Sequence, residues 1–201
     1  MPDYDKLTRN LTARGFQVSF FPTGAAAVDY LTGAIRGCTV GAGGSETLRE
    51  LGLLEALSRE NEVYSHSLPG ADRSQAIRQA ALAQVYLSSA NGLAETGELI
   101  NIDGRGNRVS ATLARHQRVY FVVGRNKIRP DFSGALHRAR NIAGPKNAVR
   151  LKLNTPCAVR GDRCYDCQSP DRICRALAVL WEKPLGIEHM EIVLVEQELG
   201  Y

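Results

Sequence analysis

CTVGAGGSETLRELGLLEAL, residues 38–57, runs from a short β-branched stretch through a glycine-rich turn into leucines at helical spacing, Leu48, Leu51 and Leu54. A strand, a tight loop and an amphipathic helix follow from that pattern. The same alternation extends on both sides. Upstream, Asp3 to Arg14 carries Leu7 and Leu11 four apart and predicts a helix. FQVSFFP reads as a strand closed by proline, and AAAVDYLTGAI as a second helix. Downstream, EVYSHSLP suggests a strand and DRSQAIRQAALAQ a helix, with Asp72 and Gln75 at capping-box spacing. Strands alternating with helices predict an α/β fold with a mostly parallel sheet covered by helices.

From VYLSSANGLAETGELINIDGRGNRVSATLA onward the pattern changes. GELINID and RVSATLA are β-like runs on either side of DGRGN, whose residues tolerate positive φ, so an inserted hairpin is expected there. QRVYFVVG is apolar almost throughout, as in a strand buried on both faces. PDFSGALHRARNIAGPKNAVRLKL predicts helices broken at Gly144-Pro145, and ALAVLWEKP and EHMEIVLVEQEL read as closing strands. No repeat, low-complexity tract or linker interrupts the chain, so residues 1–201 are expected to form one domain carrying a cysteine-rich segment at 157–174.

With 201 residues, 44% of them hydrophobic, the chain can bury a substantial core without disulfide staples. The opening MPDYDKLTRNLTARG is polar, and nowhere is there the run of about 20 apolar residues that spans a bilayer. The expected location is the cytoplasm, with no membrane partner. A net charge of +4 dictates no partner, but its distribution is uneven. Between Arg125 and Lys152 eight Lys or Arg face one acid, Asp131. Two readings stand: an anion-binding surface, or the solvated faces of helices. Nucleic-acid binding is the weaker expectation, because Phe132 is the segment's one aromatic and bases would find few stacking platforms.

Three stretches could bind a small anion. In GAGGSETL, Gly41, Gly43, Gly44 and Ser45 sit where a strand turns into a helix, and a backbone without side chains can direct amides at a phosphate or carboxylate. The spacing matches neither the Walker form nor the dinucleotide fingerprint, so no nucleotide cofactor is indicated. In ANGLAETGELINIDGRGNR, Glu95 lies among small residues with Thr96 and Gly97 beside it, suited to act as a base or nucleophile. Asp103, Asn107 and Arg108 could join it around a polar ligand, or could simply shape the hairpin. In GRNKIRP, Arg125, Asn126 and Lys127 emerge where a buried strand ends, the usual position of ligands in open α/β sheets.

CAVRGDRCYDCQSPDRIC, residues 157–174, holds four of the five cysteines. A reducing compartment argues against a structural disulfide. Cys164 and Cys167 have the two-residue spacing that presents two thiolates to one metal, and Cys157 and Cys174 flank them symmetrically. Arg160, Arg163, Arg172 and Arg175 would offset thiolate charge, and would equally lower thiol pKa values for a redox switch. Metal binding is the leading expectation. Zinc is favoured slightly over an iron–sulfur cluster, because the spacing lacks the compact cysteine run of ferredoxins. Cys38, on a strand, reads as a small core residue.

GAGGSETLRELGL, ANGLAETGELINIDGRGNR, VVGRNKIRPD with RARNIAGPKNAVRL, and TPCAVRGDRCYDCQSPDRIC with the closing IVLVEQELGY together resemble the lactate-utilisation, or LUD, family. The resemblance runs from about residue 15 to the end and points to the part of the family with a C-terminal four-cysteine stretch. It implies a fold like that of the sugar-phosphate isomerase and CoA-transferase superfamily. It also implies a role in bacterial oxidation of L-lactate to pyruvate, beside iron–sulfur protein partners. The ligand expected is a small anion: an organic acid, a phosphate or a CoA ester. The other expectation is an isomerase or CoA-transferase-like enzyme built on Glu95, although AETG is not the transferase pattern.

Overall fold

The computed structural model describes residues 1–201. Its first half alternates as the periodicity predicts: α1 (Tyr4–Ala13), β1 (Gln17–Phe21), α2 (Gly24–Ala34), β2 (Thr39–Ala42), α3 (Glu46–Glu50), α4 (Leu53–Leu57), β3 (Glu62–Ser65), α5 (Arg73–Ala80) and β4 (Val85–Ser88). Asp3, Thr23, Ser45 and Asp72 each cap a helix by accepting the amide three residues on, a donor that no helical carbonyl can reach. The single helix expected after the glycine loop is two. Gly52, at φ 59, turns the chain between α3 and α4 so that Leu48, Leu53 and Leu57 all reach the core.

The second half adds β5 (Gly92–Ala94), β6 (Leu99–Asp103), α6 (Asn107–Ala111), β7 (Arg118–Gly124), β8 (Ile128–Arg129), α7 (Phe132–Arg138), α8 (Gly144–Arg150), α9 (Pro156–Arg160), β9 (Ala176–Leu180) and β10 (His189–Val195). Six strands in the order β1-β10-β7-β4-β2-β3 make the main sheet, and every neighbouring pair is parallel. A second sheet, β8-β5-β6-β9, is mixed, with β6 antiparallel to both its neighbours.

Two local expectations are corrected. The hairpin lies one segment earlier than DGRGN: β5 and β6 pair around residues 95–98, with Gly97 at φ 102, where a side chain would be strained. DGRGN instead starts α6. One Asp103 carboxylate oxygen accepts the amides of Arg105 and Gly106 at 3.0 and 3.1 Å, and the other those of Arg108 and Val109, both at 3.1 Å. Four amides drawn to one carboxylate curl the chain into a helical turn, and the β-like composition of RVSATLA yields to that local geometry. Gly144-Pro145 breaks nothing. A π-helical turn, Ala139–Ala143, joins α7 to α8, and Pro145 sits in the first turn of α8, where its missing N–H is tolerated.

β7 shows why the main sheet reads as apolar. Val119, Phe121 and Val123 pack on one face with Leu7 and Leu11 of α1, while Tyr120 and Val122 pack on the other with Leu31, Leu48 and Leu53. Both faces are buried, so both halves of the period-two pattern are hydrophobic. Each buried Leu or Phe contributes roughly 2 kcal/mol. No helix is long and apolar enough to cross a membrane.

Candidate functional site

Residues that follow the C-terminal ends of β2, β3, β4 and β7 line one open cavity of about 420 Å³, among them Gly44, His66, Ser89 and Lys127. Parallel packing places four strand ends on one edge of the sheet, and their loops converge there.

Lys127 is the best-defined group in this cavity. The buried β7 delivers it through a short 3₁₀ turn, and its residue is 3% exposed. Its Nζ donates to Thr47 Oγ1 at 2.7 Å and to Ser89 Oγ at 2.9 Å. Those hydroxyls donate onward to the carbonyls of Leu199 and Val122. Burial, with further lowering from Arg138 and Arg108, pulls the amine from 10.5 to about 7. Both forms are therefore populated near neutrality. In the neutral form both N–H groups are already donated and the lone pair is free. In the charged form one N–H remains for a ligand.

Arg108 stands beside it, fixed by Asn101 at 3.1 Å and the Ile102 carbonyl, with Asp103 at 3.9 Å. Around these two, Arg49, Arg73, Arg105 and Arg150 bring the lining to six cationic side chains against two acids, Glu46 and Asp103. Glu46 pairs with Arg49 and Arg150, and Asp103 accepts backbone amides beside Arg108, so the two acids offset only part of the charge and the lining keeps an excess of four cations. His66 also lines it. Burial, then Arg73, Arg105 and Arg150, lower its pKa, and its Nδ1 is buried without a partner.

The expected site residues separate into two groups. Gly44, Ser45, Asp103, Asn107, Arg108 and Lys127 line this pocket. Gly41 lies within β2, where a Cβ would strike the Ala80 carbonyl, so its role is to let α5 approach the sheet. Gly43 gives similar room to Tyr86 and Arg108. The glycine loop supplies shape, and the positive charge comes from side chains. Glu95 lies apart from this pocket. It holds α1: its carboxylate accepts the Asp3 amide at 3.0 Å and pairs with Lys6 at 3.3 Å, and its carbonyl accepts from Asn10. Thr96 and Gly97 share that hairpin tip, packed on Arg14. Arg125 faces Glu196 and Glu198, and Asn126 bonds the backbone of Leu199 and Gly200. These five residues lie outside the pocket because a hairpin tip and a turn hand alternate side chains to different faces.

A family model described as the LUD domain matches residues 4–195. The chain belongs to the LUD domain family. That family is associated with lactate utilisation. Among solved structures, this LUD domain is similar to the crystal structure of a DUF162 family protein from Deinococcus radiodurans. The TM-score is 0.56 at 13% identity, with 96% of this chain and 95% of that chain covered. At that identity the likeness shows the fold, an α/β architecture with a mostly parallel sheet, and no more. A search of curated protein sequences finds no significant match to the LUD domain described here.

Sequence reasoning missed His66, Arg73, Arg105, Arg150 and Ser89 as pocket residues. His66 and Ser89 have no neighbours in sequence that mark them, and the three arginines come from separate segments. Only the excess of positive charge between Arg125 and Lys152 signalled part of this field, through Lys127 and Arg150.

Proposed function

We propose that this protein is a component of bacterial L-lactate or related organic-acid utilisation and binds a small anion in the pocket around Lys127 and Arg108. Membership of the LUD domain family supports the metabolic setting. The observation that carries the ligand class is the buried Lys127 amine at the strand ends, within six cationic side chains and two already occupied acids. A carboxylate or phosphate bound beside Nζ favours the ammonium form, so the pocket takes up a proton as it binds its ligand. An isomerase or transferase reading built on Glu95 finds no support in its ion pair with Lys6.

The test is a thermal-shift panel of L-lactate, pyruvate, inorganic phosphate and coenzyme A. A true ligand at 100 times its dissociation constant adds about 2.7 kcal/mol to stability. Lys127→Met and Arg108→Ala should each abolish the shift, while Glu95→Gln and Arg125→Ala should keep it. Affinity should be highest below pH ~7 and fall as the pH rises and the amine of the free pocket loses its proton. A shift that survives Lys127→Met, or no shift with any of the four compounds, counts against the reading.

A further inference from the structure

The four cysteines at 157–174 face one space. Cys157, Cys164, Cys167 and Cys174 all line a cavity of about 310 Å³ between α8, α9 and the segment leading into β9. None is in a disulfide. Asp166, at φ 45, sharpens the turn between Cys164 and Cys167.

The size of the cavity and its lining bear on what could occupy it. Tetrahedral zinc holds its thiolates at about 2.3 Å from one centre, so the sulfurs nearly touch. Here no three Cys, His, Asp or Glu side chains converge closely enough to hold a single ion, although four thiols share the wall. A volume of about 310 Å³ is far more than one ion needs. A larger, multi-atom centre with four separate points of attachment suits both facts.

The surroundings match an anionic, thiolate-bound centre. Arg140, Arg172 and Arg175 line the cavity together with apolar Ile102, Pro145 and Leu177. Arg140 reaches Cys164 Sγ at 3.8 Å, the Asp166 amide donates to the same sulfur at 3.4 Å, and Thr155 Oγ1 lies 3.3 Å from Cys157 Sγ. Donors aimed at ligating sulfurs stabilise the thiolate and tune the potential of an iron–sulfur centre.

We infer that Cys157, Cys164, Cys167 and Cys174 are the four ligands of an iron–sulfur cluster seated in this cavity. This replaces the slight preference for zinc drawn from spacing alone. Each thiol loses its proton to solvent as it binds iron. Cys174 and Ile173 line this cavity and the basic pocket alike, so the cluster shares a wall with the anion site. The inference is independent of what that pocket binds.

Anaerobic reconstitution of the whole chain with ferric iron, sulfide and a thiol reductant tests it. The expected result is equal iron and acid-labile sulfide, broad visible charge-transfer absorption, and an EPR signal on reduction. Differential alkylation read by mass spectrometry, with one reagent on the folded protein and a second after unfolding and chelation, should show these four cysteines taking the first label in the apo protein and only the second in the loaded protein. Cys164→Ser and Cys174→Ser should lose the colour with unchanged far-UV circular dichroism, and Cys38→Ser should keep it. Colourless protein with one zinc, disulfides among the four, or four free thiols after reconstitution would each overturn the inference. The alkylation pattern in unmutated protein decides the matter even if a variant fails to fold.

Discussion

The basic pocket and the cysteine cavity share a wall but are built in opposite ways. The pocket is assembled by the main sheet. Lys127 is brought in by the central strand β7 and held by hydroxyls from two other segments, each anchored to a backbone carbonyl. Residues 161–175, which carry three of the four cysteines, have no helix or strand, Cys157 sits on the short helix α9, and all four are only half-buried. Arginine side chains reaching backbone carbonyls do much of the holding, as Arg172 does at Cys167 and Cys174. A site made by the core is preorganised at a cost in folding energy, whereas a site made by a loop is completed by what it binds.

The sharpest way to break this contrast is to remove the cost on the pocket side. The folded-state pKa of Lys127, about 7, lies below the unfolded value of 10.5. Below pH ~7 both states hold the proton and the folded state carries the full penalty. Between about 7 and 10.5 the unfolded state binds more protons, so stability rises with pH. Lys127→Met should flatten that slope and stabilise the apo protein at neutral pH by about 3 kcal/mol, measured by urea unfolding across the pH range. A variant less stable than the parent at pH 7 would mean that the buried amine is not under strain.

The second largest effect is expected at Asp103, which sets the wall of the pocket. Asp103→Ala removes the acceptor of four backbone amides and should cost about 2 kcal/mol, with hydrogen exchange rising across residues 104–111. The smallest is expected on the other side of the comparison. Replacing all four cysteines of the apo protein by serine should change stability by less than about 0.5 kcal/mol, because none is in the core. A large loss there would show the loop to be part of the fold.

Much of the fold was legible because its signals are local or periodic. β7 declared its two buried faces, α1 its leucines, and α5 its Asp72 cap. The misplaced hairpin had a specific cause. RVSATLA has strand-like composition, but a carboxylate immediately before Gly104 captured four amides and nucleated a helix. The lining of the pocket was legible in half. Lys127 and Arg108 were named from their place after a strand and within a polar stretch. The place of Glu95 was not legible, because small neighbours predict burial without saying which surface buries it, and the answer was α1, over eighty residues away in sequence.

By itself the sequence determined the alternation of strands and helices in the first half, the parallel sheet and the grouping of four cysteines, since these rest on periodicity, capping and spacing. Tertiary structure alone decided which charges meet. Arg73, Arg105, Arg108, Lys127 and Arg150 become one field only when the strand ends converge, and the cysteines become one cavity only when their loop packs on α8. Electrostatic interaction depends on distance in space and on burial, and neither quantity is written along the chain.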